Sequence, residues 1–187
     1  MKIICYPLAA RVAATLCILI PLAPAGASEP EEAAGVPPCE SDERHRQFDF
    51  WIGQWEVRGA GGKLAGTNTI EKTLNGCLLI ENWTSVGGGS GKSVNYFDPG
   101  TGKWKQDWID AGGGVIHYEG EFRDGAMRFE GVNYNRDGSS EPSRMAFTPL
   151  GDGTVRQFIE QSSDGGESWY VWFDAIYSPI VEEPAAP

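Results

Sequence analysis

Phe48-Asp49-Phe50-Trp51-Ile52-Gly53-Gln54-Trp55 gathers four aromatic rings around one glycine, just after a polar, proline-rich stretch. Residues three and four apart share a helical face, so a short helical turn carries Phe48, Trp51 and Trp55 on one side. Gly53 frees the backbone to leave that turn and begin a strand at Trp55-Glu56-Val57. A plug of aromatic rings running into a first strand is a way to close one end of a small antiparallel barrel.

Downstream, the punctuation is regular. Asn75-Gly76, Asp98-Pro99-Gly100, Asp124-Gly125, Asp137-Gly138, Asp152-Gly153 and Asp164-Gly165 are turn signals, and Gly87–Gly91 and Gly112–Gly114 read as further loops. The intervening segments are short and rich in aromatic and β-branched residues. Strands are expected at Trp55–Arg58, Thr67–Thr73, Leu78–Thr84, Ser93–Phe97, Trp104–Ile109, Val115–Phe122, Ala126–Tyr134, Arg144–Thr148, Val155–Gln161 and Trp169–Ile176. Apart from the plug, no stretch sustains a helical period. About ten sequential strands joined by tight turns imply an all-β fold, a single antiparallel up-and-down β-barrel over residues 41–179 with a short N-terminal helical plug. A two-sheet sandwich is the alternative.

The flanks read differently. Lys2 and Arg11 precede and flank an apolar run from Val12 to Leu22, and Ala25-Gly26-Ala27 fits a small-residue cleavage pattern. Residues 1–27 therefore read as a secretory signal, with a run too short for the roughly 20 residues of a membrane span. Residues 28–40, with Glu29, Glu31, Glu32 and three prolines, read as a flexible linker, and 180–187 as a disordered tail. The expected location is periplasmic or secreted, with no membrane insertion after cleavage. Losing Lys2 and Arg11 leaves 13 of the 15 basic residues against 26 acidic ones, a net charge of −13. Such a surface repels nucleic acid, which is excluded as a partner, and favours neutral or cationic ligands. Cys39 and Cys77 remain as an even pair in an oxidising compartment and are expected to be bonded, tying the lead-in to the strand that starts at Leu78.

Gly53-Gln54-Trp55 after an aromatic turn is similar to the Gly-x-Trp signature of the calycins, the lipocalin and fatty-acid-binding barrels. More of the chain extends the likeness: His45 through Trp55, Asn75-Gly76-Cys77-Leu78-Leu79-Ile80-Glu81-Asn82-Trp83, Asn95-Tyr96-Phe97-Asp98, Trp104 to Asp110, Arg156 to Glu160 and Asp164-Gly165-Gly166. As a set, over roughly residues 39–178, these resemble a family of uncharacterised secreted bacterial proteins with an FDFWxGxW motif. The resemblance implies a secreted calycin-like barrel and no particular activity. It also implies a basic residue over Trp55, for which Arg156 and Arg144 are the candidates.

Several motifs carry less than they first suggest. Ser162 to Trp169 resembles the Asp-box hairpin of sialidases, but one copy cannot build a propeller, so it reads as a stable turn. Gly87-Gly88-Gly89-Ser90-Gly91-Lys92-Ser93 looks like a phosphate loop, yet the pattern needs glycine where Val86 stands, and a strand follows instead of a helix. Of the two histidines, His45 lies in the plug and His117 on a strand. A lone strand histidine could ligate haem, but a surface role is commoner, and neither histidine has partners spaced for zinc. No motif calls for a cofactor, and no catalytic set is assigned.

The informative signal is in the strand faces. Trp104, Gln106, Trp108 and Asp110 share one side of a strand; so do Ser93, Asn95 and Phe97, and so do Arg156, Phe158 and Glu160. Faces that mix aromatic and amide groups fit a lined cavity, and equally a solid core with polar faces outward. The leading expectation is a small apolar or aromatic ligand, with Trp83 and Trp108 as walls, Asn95 and Gln106 as orienting groups, and Arg156 as the contact for an anion or carbonyl. One alternative is an isomerase or hydrolase in the same barrel with Glu81 or Glu160 as general base, which requires a carboxyl facing a cavity. Another is a filled barrel acting as an envelope interaction module with an exposed apolar patch.

Overall fold

A computed structural model describes residues 36–181. Residues 1–27, expected above to be a signal, the first part of the expected linker and residues 182–187 lie outside the described residues. Ten strands form a closed antiparallel barrel: β1 Gly53–Gly59, β2 Leu64–Thr73, β3 Leu78–Ser85, β4 Ser90–Asp98, β5 Lys103–Asp110, β6 Val115–Arg123, β7 Ala126–Tyr134, β8 Ser140–Pro149, β9 Val155–Gln161 and β10 Tyr170–Pro179. Each strand pairs with its neighbours in sequence, and β1 pairs with β10 from Trp55↔Pro179 to Gly59↔Ala175. Closure leaves no free edge, which removes the row of unpaired backbone groups that an open sheet exposes. The β6–β7 turn shows why the punctuation is readable. Asp124 and Gly125 have φ of 51° and 73°, as a two-residue turn matching the strand twist requires.

The linker ends earlier than residue 40. Pro38–Ser41 forms a single helical turn, α1, because Cys39 within it is bonded to Cys77 at the foot of β3. The Arg46 guanidinium also donates to the Glu40 carbonyl (2.8 Å) and holds the turn against the segment that follows. Two 3₁₀ turns come next, Glu43–Arg46 and Asp49–Trp51. The first is capped by Asp42, whose carboxylate accepts from the Arg44 backbone N–H and guanidinium; these bonds bring its pKa down to about 2.

The expected helical face is split between these turns and β1. Phe48 and Trp51 lie on the turn, but Trp55 already belongs to β1. Gly53, at φ 139°, makes the break between them, a conformation that side chains disfavour. Phe48 and Trp51 are fully buried. Their rings stack at 4.9 Å, and both meet Phe147, at 5.1 and 4.4 Å. The Trp55 indole N–H donates to the Trp51 carbonyl (2.9 Å), locking plug to strand. Lys72 reaches from β2 to the Asp49 carboxylate (2.6 Å), and the Trp104 indole donates to Gln47 (3.2 Å).

The plug occupies the end of the barrel that carries the β2–β3, β4–β5, β6–β7 and β8–β9 turns. Above it, the inward side chains fall into three tiers along the strands. Nearest the plug, Ile70, Leu79, Phe97, Trp104, Phe129 and Phe147 are buried and apolar. Next comes a buried polar tier that includes Asn68, Glu81, Asn95, Gln106 and Gln157. Trp83, Trp108, Ile159 and Phe173 follow towards the opposite end.

Trp51→Ala removes a fully buried ring from this stack and is expected to cost about 3–5 kcal/mol, read as a fall in urea midpoint at unchanged slope. Replacing Cys39 and Cys77 together by alanine is expected to cost roughly 3–4 kcal/mol in the chain-entropy account. Thiol titration of the unreduced protein should find neither cysteine free.

Candidate functional site

The end of the barrel opposite the plug opens into a cavity of about 610 Å³. This lies within the range of small-molecule sites. Its rim is made by the β1–β2 and β3–β4 hairpins through Gly59, Ala60, Lys63, Val86 and Gly87. Its walls are Trp83, Trp108, Ile116, Met145, Ile159 and Phe173, and its floor is Glu81, Gln106, Tyr118, Gln157 and Tyr177.

Two devices shape the walls. The first is glycine opposite tryptophan. A Cβ on Gly91 would sit 2.3 Å from the Trp108 ring, and one on Gly66 would sit 2.8 Å from Trp83, so each glycine leaves the slot in which an indole lies flat. The second is a bulge in β10. Val171 pairs with Glu160 and Phe173 with Ile159, leaving Trp172 as the extra residue. Bulges re-aim side chains, and here Trp172 and Phe173, consecutive in sequence, both line the cavity. The Phe173 ring meets Trp83 edge-on at 6.2 Å.

The floor is a hydrogen-bonded belt that crosses from β5 to β8. Gln106 Nε2 donates to Asn95 Oδ1 (2.6 Å), Asn95 Nδ2 to Ser93 Oγ (2.8 Å), and Ser93 Oγ to Glu81 Oε2 (2.6 Å). On the other side, Asn68 Nδ2 donates to Glu81 Oε1 (2.7 Å) and lies 3.4 Å from Tyr177 Oη. Tyr177 Oη donates to Gln157 Oε1 (2.6 Å), and Gln157 Nε2 faces the Met145 sulfur. Tyr118 and Ser143 form a separate pair at 2.7 Å. Buried polar groups cost free energy unless they are paired, and nearly every donor in this belt is.

Glu81 is only 4% exposed. Burial pushes its carboxyl up to about 7, and the bonds from Ser93 and Asn68 offset only part of that. Tyr177 is raised well above its ordinary value, by burial first and by the nearby Glu81 charge second. Burial also takes Tyr118 up to about 12. Chemically, the arrangement offers an aromatic enclosure with one carboxyl that can hold or release a proton near neutrality.

Of the residues singled out in the sequence, Trp83, Gln106 and Trp108 come together on the cavity lining. Asn95 does not reach it. It is fully buried behind Gln106, held by that residue, by Ser93 and by the Leu79 carbonyl. Arg156 is misplaced in the expectation. It stands on the outer wall, its guanidinium paired in two bonds with Asp174 (2.8 and 2.9 Å) and lying over Phe158 at 4.8 Å. Nor does either arginine cover Trp55. Arg144 lies over Trp169 at 4.2 Å, and the Tyr177 ring meets Trp55 edge-on at 6.1 Å. Glu160 pairs with Arg144 on the outer wall (2.8 Å).

Tyr118, Met145, Gln157, Phe173 and Tyr177 were missed. The charges of Arg156 and Glu160 could have marked their face as the outer one, which turns Gln157 and Ile159 inward. His117 is on the outer wall beside Asp107 (2.6 Å). The glycine-rich stretch is the β3–β4 turn running into β4. In the loop before β10, Asp164 accepts from the Ser168 hydroxyl and N–H and from the Ser162 hydroxyl, so its carboxyl is held well below the usual range. An outer groove of about 650 Å³ over β5–β9 is lined largely by charged residues, several of them paired with one another, such as Lys103 with Glu121 (3.0 Å) and Arg144 with Glu160 (2.8 Å). No family model and no curated protein matches this chain.

Glu81 gives a pH prediction. Its folded pKa is raised above the ordinary 4.5 to about 7, so the unfolded chain binds fewer protons between those values and stability falls as pH rises through them. Glu81→Gln keeps the neutral form at every pH. The variant is expected to gain on the wild type across that window, by on the order of 3 kcal/mol at its upper end, read from paired urea titrations. A difference that does not change with pH would contradict this.

Proposed function

We propose that this chain is an exported barrel that binds a small, partly apolar molecule. The observation that carries the reading is the cavity itself: one end of the barrel is filled with rings, while the other holds an open, aromatic-walled space of about 610 Å³ over a polar floor. A barrel built only as a scaffold would gain from filling that space, since buried apolar contacts stabilise a core. Export is supported by the Cys39–Cys77 bond, which belongs to oxidising compartments, together with the reading of residues 1–27 as a signal. A closed ten-strand meander is also the architecture that the calycin resemblance implies.

A second reading, an isomerase or hydrolase working in the same cavity, draws on one observation. Glu81 lines the space with its carboxyl pushed up to about 7, the condition a general base or acid near neutrality meets. The other candidate base, Glu160, is engaged with Arg144 outside the barrel. Binding of a partly apolar molecule is common to both readings, so it is the property to test first.

Tryptophan emission is expected to be quenched saturably by at least one class in a panel of lipids, haem and aromatic metabolites, because Trp83, Trp108 and Trp172 line the cavity. Ile159→Trp, which fills the space from its wall, should weaken that binding about tenfold or more. A panel without any saturable quenching overturns the reading.

A further inference from the structure

The direction of the hydrogen bonds in the floor says what kind of group it is built to meet. Glu81 accepts at both oxygens, so Ser93 must spend its hydroxyl proton on Oε2. Ser93 Oγ then receives from Asn95 Nδ2, which turns Asn95 Oδ1 towards Gln106. Gln106 answers with Nε2, and its Oε1 is left on the cavity side with no donor among the described residues. On the opposite flank, Asn68 gives its amide N–H to Glu81 and Tyr177, and its own Oδ1 is buried without a partner. Tyr177 gives its proton to Gln157. Apart from the second N–H of each amide and Gln157 Nε2, which meets only the Met145 sulfur, the belt uses its donors internally. The acceptors it leaves on the cavity side are Gln106 Oε1 and the remaining lone pairs of Glu81, while the unpartnered Asn68 Oδ1 lies behind the lining.

The charge pattern agrees with this polarity. Glu81 is the one carboxylate on the cavity lining among the described residues. The groups that touch it, Asn68 and Ser93, are neutral, and Tyr177, which shares Asn68 with it, is held protonated. Lys63, the cation on the lining, sits at the rim with the β1–β2 hairpin. A buried carboxylate without a counter-charge is costly, and a cation delivered by a ligand removes that cost. Above it, the faces of Trp83, Trp108 and Phe173 form an enclosure that suits a cationic or apolar body and offers an anion little.

We propose that the cavity takes an apolar molecule carrying a protonated amine, and that Glu81 receives its nitrogen. The proposal rests on the reading of the barrel as a small-molecule site and names the ligand class of that site. The ammonium occupies the floor with Glu81 and Gln106 Oε1 as acceptors, and the apolar body lies between the indoles, towards the rim. Where part of the Glu81 carboxyl is protonated in the free protein, at and below about pH 7, the bound ammonium holds it ionised and its proton leaves to solvent.

The test is isothermal titration calorimetry with three probes that share one apolar body: phenylbutylamine, phenylbutanol and phenylbutyrate. The amine is expected to bind about tenfold or more tightly than the alcohol, and the carboxylate more weakly than both. Its affinity should rise severalfold from about pH 5.5 to about pH 8.5 as Glu81 ionises, with the alcohol unchanged, since the amine keeps its charge over that range. Glu81→Gln should abolish the amine's advantage over the alcohol, bringing the two affinities together. The pH series on the wild-type protein stands by itself if that variant folds poorly. Alcohol or carboxylate binding without an amine preference overturns the proposal and leaves the cavity reading in place. Carboxylate binding tighter than amine binding overturns it in favour of Lys63 at the rim. No heat from any probe overturns both.

Discussion

Closure of the hydrogen-bonded ladder between β1 and β10 is the constraint from which the rest of this molecule follows. It leaves no edge, so the interior can be reached only from the two ends. It also ties the first strand to the last, and so places the lead-in segment, which arrives directly at β1, over one of those ends. Phe48 and Trp51, which lead straight into β1, fill that end. The disulfide from α1 to the foot of β3 then fastens the plug from outside. What remains is a tube with a floor and one opening.

Within such a tube, the chemistry of the floor is set by mutual satisfaction. Water has only one route in, so most inward polar groups find their partners among the other inward groups. That requirement turns a set of ordinary amides into a directional chain whose sense is fixed by Glu81. The carboxyl is the one member that can change charge near neutrality, and it sits where the chain from β5 meets the chain from β2 and β10. Apolar walls above the belt lower the local polarity and raise the free-energy difference between its two protonation states.

Much of the architecture was legible in the sequence, because in this fold local chemistry and topology coincide. Each turn carries its own glycine or Asx residue, and a meander pairs each strand with the next, so ten segments read in order gave the barrel. The alternation on β5 put Trp104, Gln106 and Trp108 on one side of the strand, and that side is the inward one, a fact that depends on the closure of the whole sheet and not on the strand alone. Elsewhere, local signals had two physical sources. Gly91 reads as a loop residue but belongs to β4, where the Trp108 ring leaves no room for a Cβ. Phe158 between Arg156 and Glu160 resembles a cavity wall, yet on an outer surface an aromatic ring can lie beneath a guanidinium. Asn95 has the right face and the right tier but lies behind Gln106, its partner on the next strand, a distinction with no local trace. The contact of Tyr177 with Asn68 spans 109 residues and has no local trace.

The bulge at Trp172 gives β10 two alternations in place of one. Before it, even-numbered Tyr170 bonds to inward-facing Gln161; after it, odd-numbered Phe173, Ala175 and Tyr177 turn inward. The strand therefore works as two half-strands joined by a one-residue phase corrector. The half that holds Tyr177 is indexed to β1, and the half that adjoins the mouth is indexed to the loop before it. Evolution can lengthen, shorten or re-letter that loop without rotating Tyr177 away from the belt, so the opening can diversify while the floor stays in register.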